Sequence, residues 1–267
     1  MFHYTDIDWK ELSEESYIDN YISYFFQFLN EKQIEVWWEW ADKLTKVFSR
    51  IQENFNGQYR KDGEPYISHL IEVAKIFIEN LWVSNTSFDD IIIALLHDSI
   101  EDIKHENFHS IQQDFWDYVA LWVLALSKPE LKTSPTKPEK ILKKERNKKY
   151  YPRFASSDTL RNYISEKSKE ENININDNKI TKLSRIVGQI KLCDRIHNLR
   201  TMPLKKHKKD KTGFSVEKKE AKLKESRYFR WLLNEIWNYN ITRDFFRAEL
   251  FWNQSIFWEK IRLWLTN

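Results

Sequence analysis

The sequence predicts an all-helical protein, and three observations carry that prediction. Only four glycines and six prolines occur in 267 residues, too few turn residues for a β-rich chain. Apolar residues recur at three-and-four spacing in segment after segment. Helix-start and helix-stop signals punctuate those segments: Ser87-Phe-Asp-Asp90 reads as a capping box, while Asn56-Gly57 and Lys128-Pro129 read as stops. The chain is 41% hydrophobic and 31% charged, which allows a packed core beneath a highly charged surface. The formal net charge of +3 is too close to balance to indicate a partner. One cysteine, Cys193, excludes an intramolecular disulfide and gives no argument for secretion. There is no basic-then-apolar leader, and no apolar run reaches the roughly 18 residues of a membrane span, so a cytoplasmic location is expected.

Taken in order, residues 1–16 are polar and acidic, and form a loosely held end. Aromatic and aliphatic residues are dense from Tyr17 to Leu29. Trp37, Trp40, Ala41, Leu44, Val47, Phe48 and Ile51 then mark an amphipathic helix ending near Gly57, where glycine accepts a left-handed cap. Gly63 and Pro65 make a loop of residues 57–65, with Arg60 and Lys61 at its start. Ile67, Leu70, Ile71, Ala74 and Ile78 predict the next helix, and His69 lies beside its apolar stripe. Ile91 to Asp102 reads IIIALLHDSIED, an apolar run that predicts a buried helix. Continued to Asp102, that helix pairs His97 with Glu101 and Asp98 with Asp102, each pair four apart, on one shoulder. Buried charge of this density must be paired, neutralised or bound to a metal. Phe115, Val119, Trp122, Val123 and Leu126 form another amphipathic helix.

Residues 128–179 change character, with four prolines, a lysine run and a polar tract, and read as an insertion of loop and short helix lying outside the core. From Ile180 the apolar spacing returns in a long helix carrying Lys191, Asp194, Arg195, His197, Asn198 and Arg200. Residues 215–267 form a C-terminal helical extension, with one helix through Phe229 to Trp237 and a last one through Phe257 to Leu265. One domain over 1–267 is expected, its core at 34–127 and 180–204. The twelve tryptophans cluster near the ends and around 116–122, where packing or a subunit interface explains them better than base stacking. The lysine-rich stretches 137–149 and 205–224 are mostly solvated faces. Their functional reading is a positive field for a polyanion such as a nucleotide or RNA.

His69, His97, Asp98 and Asp194 come from three helices and offer a nitrogen and oxygen set suited to a six-coordinate divalent ion such as Mn²⁺ or Fe²⁺, with Zn²⁺ also compatible. A lone histidine beside an apolar stripe is more often a packed core residue, so none of these is diagnostic alone. Together the segments RKDGEPYISH, LLHDSIED and KLCDRIHNLRTM resemble the hydrolase domain of RelA/SpoT-type alarmone enzymes, in the HD phosphohydrolase superfamily. The resemblance runs from about Asn54 to Met202, apart from the insertion. It implies an HD-domain helical bundle with an inserted segment and additional N- and C-terminal helices. It also implies one Mn²⁺ held by His69, His97, Asp98 and Asp194, with Glu101 and Asp102 activating water and transferring protons. Arg60 and Lys61 match the basic loop that meets the nucleotide, Asn198 matches a residue on its base or ribose side, and Arg195 is a candidate for phosphate charge. The implied reaction removes the 3′-pyrophosphate of (p)ppGpp, giving GDP or GTP and pyrophosphate. The sequence departs from the family at Leu70, Ile103 and Cys193, where proline, threonine and alanine are usual; none is a proposed ligand.

Two alternatives stand beside this reading. One is hydrolysis of another 3′-pyrophosphorylated substrate, (p)ppApp or a tRNA 3′ end, including a role as antitoxin to a small alarmone synthetase. The other is a non-catalytic nucleotide-binding HD protein, against which six retained acidic and imidazole groups argue. Oligomerisation through the aromatic C-terminal helices is compatible with the sequence, and a membrane-surface role is not favoured, because acidic residues interrupt the basic ones.

Overall fold

The computed structural model describes residues 13–60, 63–80, 87–129, 138–202, 214–230, 233 and 239–265. Among them the chain forms eleven α-helices and no β-strand: α1 Glu14–Glu31, α2 Trp38–Phe55, α3 Tyr66–Asn80, α4 Phe88–Leu96, α5 Ser99–Asp102, α6 Phe108–Leu126, α7 Glu139–Tyr150, α8 Ser157–Glu170, α9 Asp177–Arg200, α10 Val216–Ser226 and α11 Tyr239–Leu265. The all-helical prediction holds. No described helix is long and apolar enough to cross a membrane. The predicted helix through Phe229 to Trp237 falls mostly outside the described residues, as do residues 1–12.

Most caps follow from the residues. Gly57 takes φ 69° just after α2, a conformation that costs glycine little. At the start of α4, the Ser87 side chain accepts from the Asp90 N–H while the Asp90 carboxylate accepts from the Ser87 N–H, which completes the predicted capping box.

Helix α3 sits at the centre, packed on α4 and α9, with α1 across it. It is buried almost all round, from Ile67 through Ile78. Helix α9 spans 24 residues, roughly 36 Å, and also contacts α6, α8 and α11. These two helices bring His69 and Asp194 to the end of α4.

Two expectations need correction. The apolar run of α4 does not continue as one helix to Asp102. It stops at Leu96, His97 and Asp98 form the junction, and α5 is a separate turn of four residues. The His97 ring bonds back to the Ala94 carbonyl, the acceptor that the Asp98 N–H would use in a continuing helix. The inserted segment, read as lying outside the core, is also partly inside it. Tyr150, Tyr151, Phe154, Leu160 and Ile164 join the main apolar core. The Tyr150 hydroxyl donates to the Leu126 carbonyl at 2.7 Å, and Arg153 Nη1 donates to the carbonyls of Ala125 and Ser127. The insertion thus satisfies the last carbonyls of α6, which no intrahelical donor reaches. A few apolar side chains at helical spacing were masked by the lysines around them.

Candidate metal centre

His69 projects from α3, His97 and Asp98 from the α4–α5 junction, and Asp194 from α9. All four are buried. Ligand atoms of His69, His97 and Asp98 lie within 4.8 Å of one another. His69 Nε2 is 3.4 Å from Asp194 Oδ1 and 3.5 Å from Asp98 Oδ2, and His97 Nε2 is 3.2 Å from Asp98 Oδ2.

The hydrogen bonds around the two imidazoles say which atoms face that cluster. His97 Nδ1 lies 2.8 Å from the Ala94 carbonyl, which can only accept, so this nitrogen carries a proton. Its Nε2 is then a lone pair in the neutral ring, and this atom is buried without a hydrogen-bond partner. His69 Nδ1 lies 2.7 Å from His197 Nδ1. Burial above all holds His197 well below the usual imidazole range, so His197 is neutral, and in its tautomer protonated at Nε2 the Nδ1 atom accepts while His69 donates. That bond leaves the Nε2 lone pair of His69 toward Asp98 and Asp194. Two lone pairs and two carboxylates therefore converge with no proton between them. Such a set calls for a cation, and two imidazoles with two carboxylates suit a divalent one. Without it the available remedy is a proton on His97. Burial opposes that proton, but Asp98 and Asp194 outweigh it and raise the His97 pKa.

Supporting contacts hold the carboxylates. Lys191, itself buried, pairs with Asp194 Oδ2 at 2.7 Å. Burial works against ionisation of Asp194, yet the Lys191 ammonium keeps its carboxyl well below the usual range. Asn198 donates to Asp194 Oδ1. The Tyr66 hydroxyl lies 2.8 Å from Asp98 Oδ2 and 2.7 Å from Asp102 Oδ2. A tyrosine hydroxyl has one hydrogen, so it cannot donate to both. Partial withdrawal from water, then the charges of Asp98 and Glu101, raise Asp102 to about 6. Below that pH Asp102 is the carboxyl that carries the extra proton, donating to Tyr66 while Tyr66 donates to Asp98.

Asp98 and Asp102 thus share one side, as the spacing predicts. Glu101 does not accompany His97: it binds the ammonium of Lys128 and accepts from the Lys128 backbone N–H at 3.3 Å. His105 meets Asn54 at 2.9 Å and His109 approaches Gln112, so both are engaged elsewhere. Arg60 donates to Asn198 Oδ1 at 3.3 Å and Thr201 Oγ1 at 2.6 Å. Arg195 is buried near Phe229 and 3.6 Å from Glu225, while Arg200 pairs with Asp244. Lys61 lies outside the described residues. Tyr66, Lys191 and Lys128 are site residues that sequence reasoning missed; the tyrosine within RKDGEPYISH was the one available signal.

A cavity of about 600 Å³ adjoins this cluster. Tyr66 and Asn198 line it beside the carboxylates that they bind, and Arg60 and Arg195 line it too. Its size suits a nucleotide.

Comparison with known proteins adds the following. A model of the HD domain matches residues 47–219. A GTP pyrophosphokinase of Streptomyces coelicolor is 29% identical over 170 residues, 63% of this chain and 16% of that protein. The bifunctional (p)ppGpp synthase/hydrolase SpoT of Escherichia coli is 28% identical over 180 residues, 67% of this chain and 21% of that protein. The chain therefore spans about a fifth or less of the length of these relatives. A solved metazoan ortholog of SpoT, described as hydrolysing ppGpp, superposes with a TM-score of 0.52 at 18% identity, over 77% of this chain and 93% of that one.

Proposed function

Because the chain belongs to the HD-domain family, with RelA/SpoT-type relatives, we propose that it is a metal-dependent pyrophosphohydrolase that removes the 3′-pyrophosphate of (p)ppGpp. The observation that carries this reading is the convergence of two imidazole lone pairs and two carboxylates beside a nucleotide-sized cavity with basic walls. His69, His97, Asp98 and Asp194 would hold one divalent ion, Mn²⁺ in this proposal. A divalent ion at such a site supplies Lewis acidity, polarising a phosphoryl oxygen and lowering the pKa of water.

The remaining steps belong to the protein's own groups. In the overall change, water adds to the phosphorus of the 3′-pyrophosphate, the bond from that phosphorus to the 3′-oxygen breaks, and the oxygen leaves as the 3′-hydroxyl. The products of ppGpp are GDP and pyrophosphate. One proton must leave the water and one must reach the 3′-oxygen. Asp102 is suited to accept the first, since its pKa of about 6 makes it ionised yet basic near neutrality. Tyr66 orients that carboxylate and joins it to Asp98. Glu101, the second acidic group of this reading, is held by Lys128 next to Asp102, and the proton that Asp102 takes from the water is the one available to return to the 3′-oxygen. Arg60 and Arg195 offset phosphate charge, with Asn198 and Thr201 setting the angle of the Arg60 guanidinium.

The test is to incubate purified protein with ppGpp, ppApp and 3′-pyrophosphorylated tRNA, with and without Mn²⁺, and to measure released pyrophosphate. Release from ppGpp that requires Mn²⁺ and disappears in Asp98→Ala, together with metal binding, is the expected result. No release from any substrate by the metal-loaded protein would sink the reading.

A further inference from the structure

The cavity has a second basic wall that the reaction above does not use. Helix α7, from the inserted segment, contributes Lys143 and Arg146. Helix α10, from the C-terminal extension, contributes Lys218 and Lys222. With Arg60 and Arg195 that makes six cations, and none of the described residues lining the cavity is acidic. Carboxylates stand behind this wall: Glu139 pairs with Lys143 at 2.5 Å, and Glu225 lies 3.2 Å from Lys222 and 3.6 Å from Arg195. The Nε donors of Arg146 and Arg195 are buried without a hydrogen-bond partner. Burial first, then the charge of Arg195, depresses the Lys222 ammonium, which shows the cations crowding one another.

Neither α7 nor α10 carries any member of the metal cluster. A nucleotide whose 3′-pyrophosphate lies at that cluster directs its 5′ chain away from it, since the 3′-oxygen and the 5′-carbon leave the ribose on different sides. Building on the function proposed above, we infer that Lys143, Arg146, Lys218 and Lys222 form a binding site for the 5′-phosphate chain. The enzyme thereby selects nucleotides phosphorylated at both ends over substrates with a bare 5′ end. The insertion and the C-terminal extension are then specificity elements.

GDP and guanosine differ only in the 5′-diphosphate, and because a diphosphate also binds a divalent ion, the α7 and α10 variants are what separate this site from the metal cluster. Both are titrated by calorimetry into the full chain loaded with Mn²⁺ and freed of excess ion. The wild type is expected to bind GDP at least about tenfold more tightly than guanosine, and this margin should shrink with added salt. In Lys143→Gln/Arg146→Gln the margin should fall to about threefold or less. Lys222→Gln, on the other helix, should also narrow it and covers the case in which the double variant unfolds. A wild type that binds both ligands equally would overturn the inference, as would variants that are folded by circular dichroism and keep the full margin. Tighter binding of a short 5′-hydroxyl RNA than of GDP would overturn it too. Pyrophosphate release from ppGpp is scored separately. A GDP margin without turnover removes the proposed reaction and leaves the phosphate site standing, whereas turnover without a margin does the reverse.

Discussion

At the scale of single residues, the site is an arrangement of proton positions. The Ala94 carbonyl commits one face of His97, and the neutral His197 commits one face of His69, so the two remaining lone pairs are aimed rather than free to switch. Asp102 is the group whose state changes within an ordinary working range. A base must be ionised to accept a proton, so activity should rise as Asp102 deprotonates. The acid limb of kcat/KM is expected to bend at or below about pH 6, since a bound cation can only pull the carboxyl lower. Asp102→Asn should cost about 10²–10⁴-fold in rate and remove the bend. If the same limb persisted in that variant, the base would be another group. Of the four candidate ligands, His97 and Asp98 were legible because His-Asp at the end of an apolar run is conspicuous, and His69 and Asp194 through the resemblance of their segments. Lys191 was not, because nothing in its neighbours marks a lysine as buried. Its burial depends on long-range packing, with Tyr150 of the insertion close by.

At the scale of elements, an ion-pair network ties α2 to the segment leaving the metal centre. Glu106 accepts from Arg50 Nε at 2.8 Å, Arg50 Nη2 at 2.5 Å, Asn54 at 2.5 Å and Ser110 at 2.6 Å. Arg50 also reaches Asp114 on α6. Removing Glu106 leaves the half-buried Arg50 with Asp114 and takes the acceptor from Asn54 and Ser110, so Glu106→Ala should cost roughly 1–3 kcal/mol, read by urea unfolding. Burial of Glu106 would raise its pKa, but the bonds from Arg50, Ser110 and Asn54 outweigh it and hold the carboxyl below its usual value. A depressed carboxylate stabilises the fold above the unfolded-state pKa and loses that contribution as pH falls through the folded-state value. Wild type should therefore lose stability on acidification below about pH 4, and Glu106→Ala should lose less over the same range. Helix positions were legible from apolar spacing, whereas this network joins residues more than fifty apart in sequence and left no local trace. The break at His97 was hidden for a related reason: the spacing pattern continues across it, and the bond from the His97 ring back to the Ala94 carbonyl leaves no mark in the sequence.

At the scale of the whole molecule, the C-terminal extension is part of the structure that holds α9. Phe229, Leu233, Ile241 and Phe245 enter the main core. Trp252 of α11 is buried in a satellite cluster with Leu199 and Met202, and its indole N–H donates to the Leu199 carbonyl. The Arg200–Asp244 pair at 2.9 Å closes the same junction. Trp252→Ala should destabilise the protein by roughly 3–5 kcal/mol in urea unfolding. Because Asn198 is adjacent to Leu199 and Asp194 lies between one and two turns back on α9, the variant should also weaken Mn²⁺ binding in a direct titration. Unchanged metal affinity with the expected loss of stability would show that the end of α9 moves independently of its centre. The sequence left open whether these aromatic helices cover their own core or another subunit. One face of α11 settles on the core, while Phe246, Leu250, Phe251 and Phe257 remain exposed.

The bond between His69 and His197 also makes the site its own spectroscopic reporter. A proton held between two ring nitrogens 2.7 Å apart, within two buried side chains, exchanges slowly with solvent. In an isotope-labelled sample it should stand as one resolved imidazole resonance coupled to a single ring. A cation arriving at the opposite nitrogen of His69 would perturb that ring directly and its neighbour only through the shared hydrogen. The two rings would then report occupancy as a difference between them, with no substrate, dye or turnover needed.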